Sequence, residues 1–266
     1  MPADILTTIL DAKKIRLAKA KLERPLQQIR DQAFQRRRDR SEHALIAALT
    51  TPSSISIIAE FKRRSPSRGE IVANADAVAT AQAYERGGAA AMSVLTEEDF
   101  FGGALADLTT IREAVSLPLL RKDFIFDEYQ VWESAAAGAD ALLLIVAALD
   151  DEQLQRLREL AEQLGMDALV EVHSELELQR AIAAGATMIG VNNRDLRTFN
   201  VSLEVSEHLI AVAPAGAIMV SESGLHSRED LTGLRSLGYR GFLIGESLMK
   251  AAQPEKELRC LLGHAD

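Results

Sequence analysis

Between residues 55 and 245 the chain keeps one rhythm: a short apolar run, then a stretch with helical spacing. The runs are Ile55–Glu60, Ala91–Leu95, Leu117–Lys122, Ala141–Val146, Ala168–Val172, Thr187–Asn192, Ala217–Glu222 and Gly241–Gly245. Most are continuously apolar rather than alternating, which suits parallel strands covered on both faces. The stretches between them place apolar residues three and four apart. Leu154, Leu157, Leu160, Ala161 and Leu164 do so within Asp151–Leu164, and Ser174–Ala184 has the same spacing. Gly165 and Gly185 stand where those helices should stop, and Gly88 and Gly138 do the same earlier. Eight strand–helix units in 266 residues predict an α/β chain folded as a single (β/α)8 TIM barrel. Such barrels reach this length as one domain. A doubly wound open sheet is the alternative, but no GxGxxG follows the first strand and no GxxxxGK(S/T) loop occurs.

Residues 1–50 precede the first strand and read as a helical extension packed on the barrel, which occupies 51–266. Within 11–40, eleven Lys or Arg face four acids, with Arg36-Arg37-Arg38 in a row. The simplest reading is a solvated helical surface; a functional cap near the substrate is the other. A nucleic-acid patch fits poorly, because Phe34 is the block's only aromatic residue and the whole chain carries −9. The sole cysteine, Cys260, allows neither an internal disulfide nor a Cys-based metal site, and points to a reducing cytoplasm. The start, Met1-Pro2-Ala3-Asp4, lacks the features of a signal peptide. The apolar run Ala141–Leu149 has about half the length of a membrane helix, so no membrane association is expected.

Chemistry in a barrel of this kind gathers at the C-terminal strand ends. The first strand closes on Glu60 and Lys62, two apart and therefore aimed to one side. Others close on Lys122, Glu171, Asn192-Asn193-Arg194, Ser221-Glu222-Ser223-Gly224 and Gly245-Glu246. One charged residue at one strand end reads as a surface ion pair. Two lysines and three glutamates converging on one mouth are different, since buried charges are costly unless paired or used. Mutual pairing without catalysis remains the alternative. Gly224 and Gly245 would let backbone N–H groups approach an anion, with Glu246 contributing only its amide. His43, His173, His208, His226 and His264 show no HxH or HExxH spacing, so neither a metal nor a cofactor is expected. His173 reads as a loop histidine.

Ile58-Ala59-Glu60-Phe61-Lys62-Arg63-Arg64-Ser65-Pro66-Ser67 resembles a signature of the indole-3-glycerol-phosphate synthase family. Leu95-Thr96-Glu97 with Phe101-Gly102-Gly103 resembles that family's second-strand loop. Arg121-Lys122-Asp123-Phe124-Ile125 with Glu128-Tyr129-Gln130, then Glu171, Asn192-Asn193-Arg194-Asp195-Leu196, Ser221-Glu222-Ser223-Gly224 and Phe242-Leu243-Ile244-Gly245, continue the series in order.

The resemblance implies ring closure, decarboxylation and dehydration of 1-(2-carboxyphenylamino)-1-deoxyribulose 5-phosphate to indole-3-glycerol phosphate, a step of tryptophan biosynthesis. It implies Lys122 as the proton donor at the carbonyl and Glu171 as the base. Lys62 stands alongside, either in proton transfer or as a point charge for the substrate carboxylate or phosphate. It places Glu60 at the substrate hydroxyls or the reacting centre, and Asn192 and Glu222 in the polar wall. Ser65 and Arg194 would contact substrate, Arg194 near its carboxyphenyl end. Ser223, Gly224, Gly245 and Glu246 would take the phosphate, and Phe101 and Phe124 would sandwich the aromatic ring. The expected partner is a phosphorylated small molecule and the expected state a monomer. A phosphate-binding isomerase barrel using a Cys/Asp pair is a rival, but Cys260 lies in the last helix. A non-catalytic binding module and a flavin-dependent barrel are further rivals.

Overall fold

The computed structural model describes residues 5–51, 55–195 and 198–264. Residues 1–4 and Leu196, both used above, lie outside that set. Eight strands close a barrel in chain order: β1 (Ser56–Phe61), β2 (Ala91–Leu95), β3 (Leu119–Lys122), β4 (Ala141–Ile145), β5 (Asp167–Val172), β6 (Met188–Asn192), β7 (Ile218–Glu222) and β8 (Gly241–Ile244). Every neighbouring pair is parallel, and β8 closes onto β1 in the register Ala59↔Ile244.

Strand edges differ from the apolar runs by a residue or two, for local reasons. β3 begins after Pro118, which has no N–H for the ladder. β4 stops at Ile145 because Val146–Ala148 tightens into a 3-10 turn. Gly245 leaves β8 and becomes the N-cap of a short helix, Glu246–Lys250.

Seven of the connecting helices are α4 (Ala77–Gly87), α5 (Leu105–Ala114), α6 (Glu128–Ala137), α7 (Asp151–Gln163), α8 (Glu175–Ala183), α9 (Glu204–Ala211) and α10 (Arg228–Leu237). After β8 follow α11 (Glu246–Lys250) and α12 (Pro254–Leu262). Asp76, Asp127, Asp150, Ser174 and Ser227 cap N-termini through their side chains. Gly88 and Gly138 end α4 and α6 in the left-handed conformation. Outward strand residues such as Ile57, Met92 and Val170 pack on these helices, while Ile58, Leu120, Leu143, Leu169 and Leu243 fill the barrel.

Residues 5–50 run from one end of this barrel to the other. α1 (Ile5–Glu23) places Leu6 and Ile9 in the interior cluster beside Phe124. α2 (Leu26–Arg37) packs on α6, with Phe34 edge-on to Trp132 at 5.3 Å and Arg30 5.0 Å above the same ring. α3 (Ala44–Leu49) sends Leu45 and Leu49 into the opposite end of the barrel. The basic block is therefore more than a solvated face. Lys14 and Lys19 are exposed, but Lys13 is buried and ion-paired. Arg37 donates to the carbonyls of Leu164 at 2.9 Å and Gly165 at 2.6 Å. The positive charge was legible in the sequence; which side chains fold inward depends on carboxylates far along the chain.

Candidate active site

A cavity opens at the C-terminal ends of the strands. Glu60, Lys62, Ser65, Phe101, Lys122, Phe124, Glu171, Asn192, Arg194, Glu222, Ser223, Gly224, Gly245 and Glu246 all line it. Residues separated by up to 186 positions in the chain thus meet because each ends a strand of one closed barrel or lies in the loop that follows one.

A charge cluster forms its floor. Lys122 Nζ donates to Glu171 Oε2 at 3.0 Å and to Glu222 Oε2 at 2.8 Å. Burial opposes the ammonium charge, but Glu171, Glu222 and Glu60 outweigh it and hold the lysine well above its ordinary range. The two glutamates are driven apart. Burial pushes Glu222 up to about 7, and the nearby Glu171 charge adds to the rise. Burial would also raise Glu171, but Lys122, His173 and the Asn192 side chain bring it below its usual range. Asn192 Oδ1 is fixed by accepting the Arg194 N–H at 3.0 Å. Glu222 Oε1 is buried with no hydrogen-bond partner. Lys62 pairs with Glu60 on β1, as their spacing requires.

Two glycines make room for these carboxylates. A Cβ on Gly190 would strike Glu222 Oε1, and one on Gly245 would strike Glu60 Oε1. Gly190 was not singled out from the sequence. Its signal was a glycine inside an apolar strand, which marks close approach.

Ser223 and Gly224 both adopt positive φ, +67° and +80°, beside Gly245 and the amide of Glu246. Successive N–H groups in such a turn can form an anion-binding concavity. The Glu246 carboxylate turns to Lys250 at 2.7 Å and Arg68 at 3.5 Å. Phe101 and Phe124 depart from the sandwich expected of them. Their centroids lie 6.0 Å apart at 40°, so they touch each other. A flat ring between two faces needs about 7 Å, twice a carbon–carbon contact distance. The pair therefore offers an edge or an outer face.

The extension also reaches the cavity, through Ile5, Leu6 and Ile9. Lys13, on the same helix face, pairs with Asp123 at 2.9 Å and Glu98 at 3.0 Å. Burial opposes the Asp123 charge, but Lys13 and Arg121 hold that carboxyl down at about 2. A lysine within the stripe Leu6, Ile9, Lys13, Leu17 was the sequence signal for this latch.

Known proteins agree with this architecture. A solved structure, KGPDC from Streptococcus mutans, superimposes with a TM-score of 0.62 at 12% identity, covering 80% of this chain and 97% of that one. That likeness shows the barrel alone. A protein of Carboxydothermus hydrogenoformans named indole-3-glycerol phosphate synthase is 46% identical over 254 residues, 94% of this chain and 96% of its own. One of the same name from Syntrophobacter fumaroxidans is 47% identical over 266 residues, covering 98% of each. The family described as Indole-3-glycerol phosphate synthase matches residues 6–261. The chain belongs to the indole-3-glycerol phosphate synthase family.

Proposed function

We propose that the mouth cluster carries out the family's ring closure, with Lys122 and Glu171 as acid and base. The chain acts on 1-(2-carboxyphenylamino)-1-deoxyribulose 5-phosphate and releases indole-3-glycerol phosphate, carbon dioxide and water. One observation carries the assignment of roles: a single ammonium, Lys122, sits between two buried carboxylates whose proton affinities are driven apart. Lys122, held charged, therefore stands beside Glu171, held ionised, and a proton donor and a proton acceptor face the cavity together.

As the arene carbon attacks the ribulose carbonyl, the oxygen gains negative charge beside the Lys122 ammonium. The lysine stabilises that charge and gives the oxygen a proton. Loss of carbon dioxide returns the bond electrons to the ring system. Glu171 then takes the ring-amine proton while the new hydroxyl leaves as water, and a proton passes from the adjacent ring methylene back to the nitrogen to give the indole. Lys62, held by Glu60, supplies the proton to that hydroxyl. Asn192 keeps Glu171 in place, and Glu222 holds Lys122 from the other side.

The phosphate rests on the N–H groups of Ser223, Gly224, Gly245 and Glu246, where a carboxylate side chain turned away leaves the amide accessible. Ser65 and Arg194 contact the substrate, and the Phe101–Phe124 pair flanks its aromatic ring. The extension completes the wall through Leu6 and Ile9. We extend the reading to a monomer at work in the cytoplasm. A lone exposed thiol, Cys260, suits a reducing compartment. Among the described residues, no helix is long and apolar enough to cross a membrane.

The test is direct. The purified chain, mixed with the substrate in buffer with a chelator, should develop indole fluorescence. Lys122→Ala should lose about 10²–10⁴-fold in turnover, the usual worth of one well-placed acid. Unchanged turnover in that variant would sink the assignment.

A further inference from the structure

His173 follows β5 by one residue and stands behind Glu171. It is set back from the residues that line the cavity. Its side chain retains only 15% exposure. Nδ1 lies 3.2 Å from Glu177 Oε2, and the His173 backbone N–H donates to the same oxygen at 2.8 Å. Glu177, on α8, thus fixes the ring and favours a proton on Nδ1. Nε2 makes no hydrogen bond but lies 3.5 Å from Glu171 Oε1, within ion-pair reach. Lys122 holds the other oxygen, Oε2.

Glu171 and Glu222 share Lys122 almost equally, at 3.0 and 2.8 Å. Two carboxylates on one cation compete for a proton, and a small asymmetry decides which keeps it. The imidazole is an asymmetry that Glu222 lacks at contact range, since its Oε1 has no partner. We propose that His173 is a positioning residue acting through Glu171: its imidazolium, braced by Glu177, makes Glu171 rather than Glu222 the ionised carboxylate.

The charged groups facing the ring are Glu171 from β5, Glu177 from α8 and Glu222 from β7. All are acidic. Arg180, also on α8, is turned to the Val146 and Leu149 carbonyls and to Asp151. Burial opposes the ring's charge, but Glu177 and Glu171 outweigh it and raise the imidazole above its ordinary range.

The inference rests on Glu171 being the base, and two readouts keep the two ideas apart. The first is the pH profile of kcat for His173→Gln and His173→Asn. The acid limb should move up by about one pH unit, the smaller end of what one opposite charge at this range does. The loss in kcat should shrink as pH rises, with KM held. The second is the imidazole titration of His173 followed by NMR in wild type, Glu171→Gln and Glu177→Gln. It should fall in both variants. A kcat loss equal at every pH, or a titration indifferent to Glu171→Gln, overturns the proposal. Full turnover by Glu171→Gln would instead remove the base assignment, whatever the titration shows.

Discussion

The barrel carries buried charge at both ends, and the two ends handle it in opposite ways. At the N-terminal end, Asp140 is fully buried and surrounded by donors. Arg112 meets Oδ2 at 3.0 Å, the Leu119 N–H meets the same oxygen at 2.9 Å, and Arg40 and Arg37 hold Oδ1. Cations outnumber the carboxylate, and both its oxygens are occupied. At the C-terminal mouth the ratio reverses. One lysine serves Glu171 and Glu222, and Glu222 Oε1 has no partner. A saturated buried charge ties elements together, here α2, α5, β3 and the start of β4. A cluster short of cations, facing a cavity, is poised to exchange protons with something that enters.

The comparison breaks most sharply through one substitution at each end. Lys122→Ala, expected to lose about 10²–10⁴-fold in turnover, should leave the thermal midpoint close to wild type. Asp140→Ala should do the reverse. It strands Arg112 and Arg37 in the interior, which typically costs about 3–5 kcal/mol. In a chain of this size that is roughly 2–4 °C of Tm per kcal/mol. Turnover per folded molecule should hold. A Tm scan and a kcat measurement on both variants settle it; if Asp140→Ala loses turnover without losing stability, the division between ends is wrong.

The two ends also differ in how far the sequence revealed them. The mouth was legible because each residue closes an apolar run, and parallel strands in one barrel deliver their ends to one place. Glu60 and Lys62 followed from period two alone. The Asp140 cluster was not legible. Arg37 lies in α2, Arg40 in the turn after it and Arg112 in α5, and nothing local distinguishes them from Lys14 or Lys19. Only chain closure brings them to Asp140. The Phe101–Phe124 contact was missed for a related reason: both rings were placed by family resemblance, while their separation is set by how the β2 loop folds. Three backbone N–H groups, from Asp99, Phe100 and Phe101, converge on the Glu97 carboxylate and hold that loop.

A pair of glycines gives a finer test. Gly190 at the mouth leaves room for Glu222 Oε1, the free end of a side chain. Gly190→Ala should fold normally and displace that carboxylate, costing about 10²-fold in kcat, the scale of a 1 Å misplacement. Gly241 begins β8 at the other end, where a Cβ would lie 3.1 Å from Val220 and 3.2 Å from Leu49. Gly241→Ala should instead overpack a core contact, at about 1–3 kcal/mol, with kcat unchanged. Urea melts and steady-state assays of both distinguish the effects. Equal losses of activity would mean that Gly241 reaches the site through α3.

The last contrast between the two ends concerns how stability depends on pH. Glu222 stands at about 7 in the folded chain, above the 4.5 of a free glutamate, because burial penalises its charge. Below 4.5 the carboxyl is protonated whether the chain is folded or not. Between 4.5 and about 7 the unfolded chain releases the proton first, so this group lowers stability as pH rises. Above about 7 the penalty is constant. Glu222→Gln cannot ionise, so its stability relative to wild type should climb through that window and then level off. Asp123 supplies the opposite sign. Held down at about 2 by Lys13 and Arg121, it stabilises the fold above 3.8, and that contribution is lost as pH falls toward 2. Asp123→Asn should therefore show no such climb between 4.5 and 7. Denaturant melts across pH 4 to 8 read both curves. A flat difference for Glu222→Gln would mean that both mouth glutamates ionise freely, leaving the cluster as saturated as the one around Asp140.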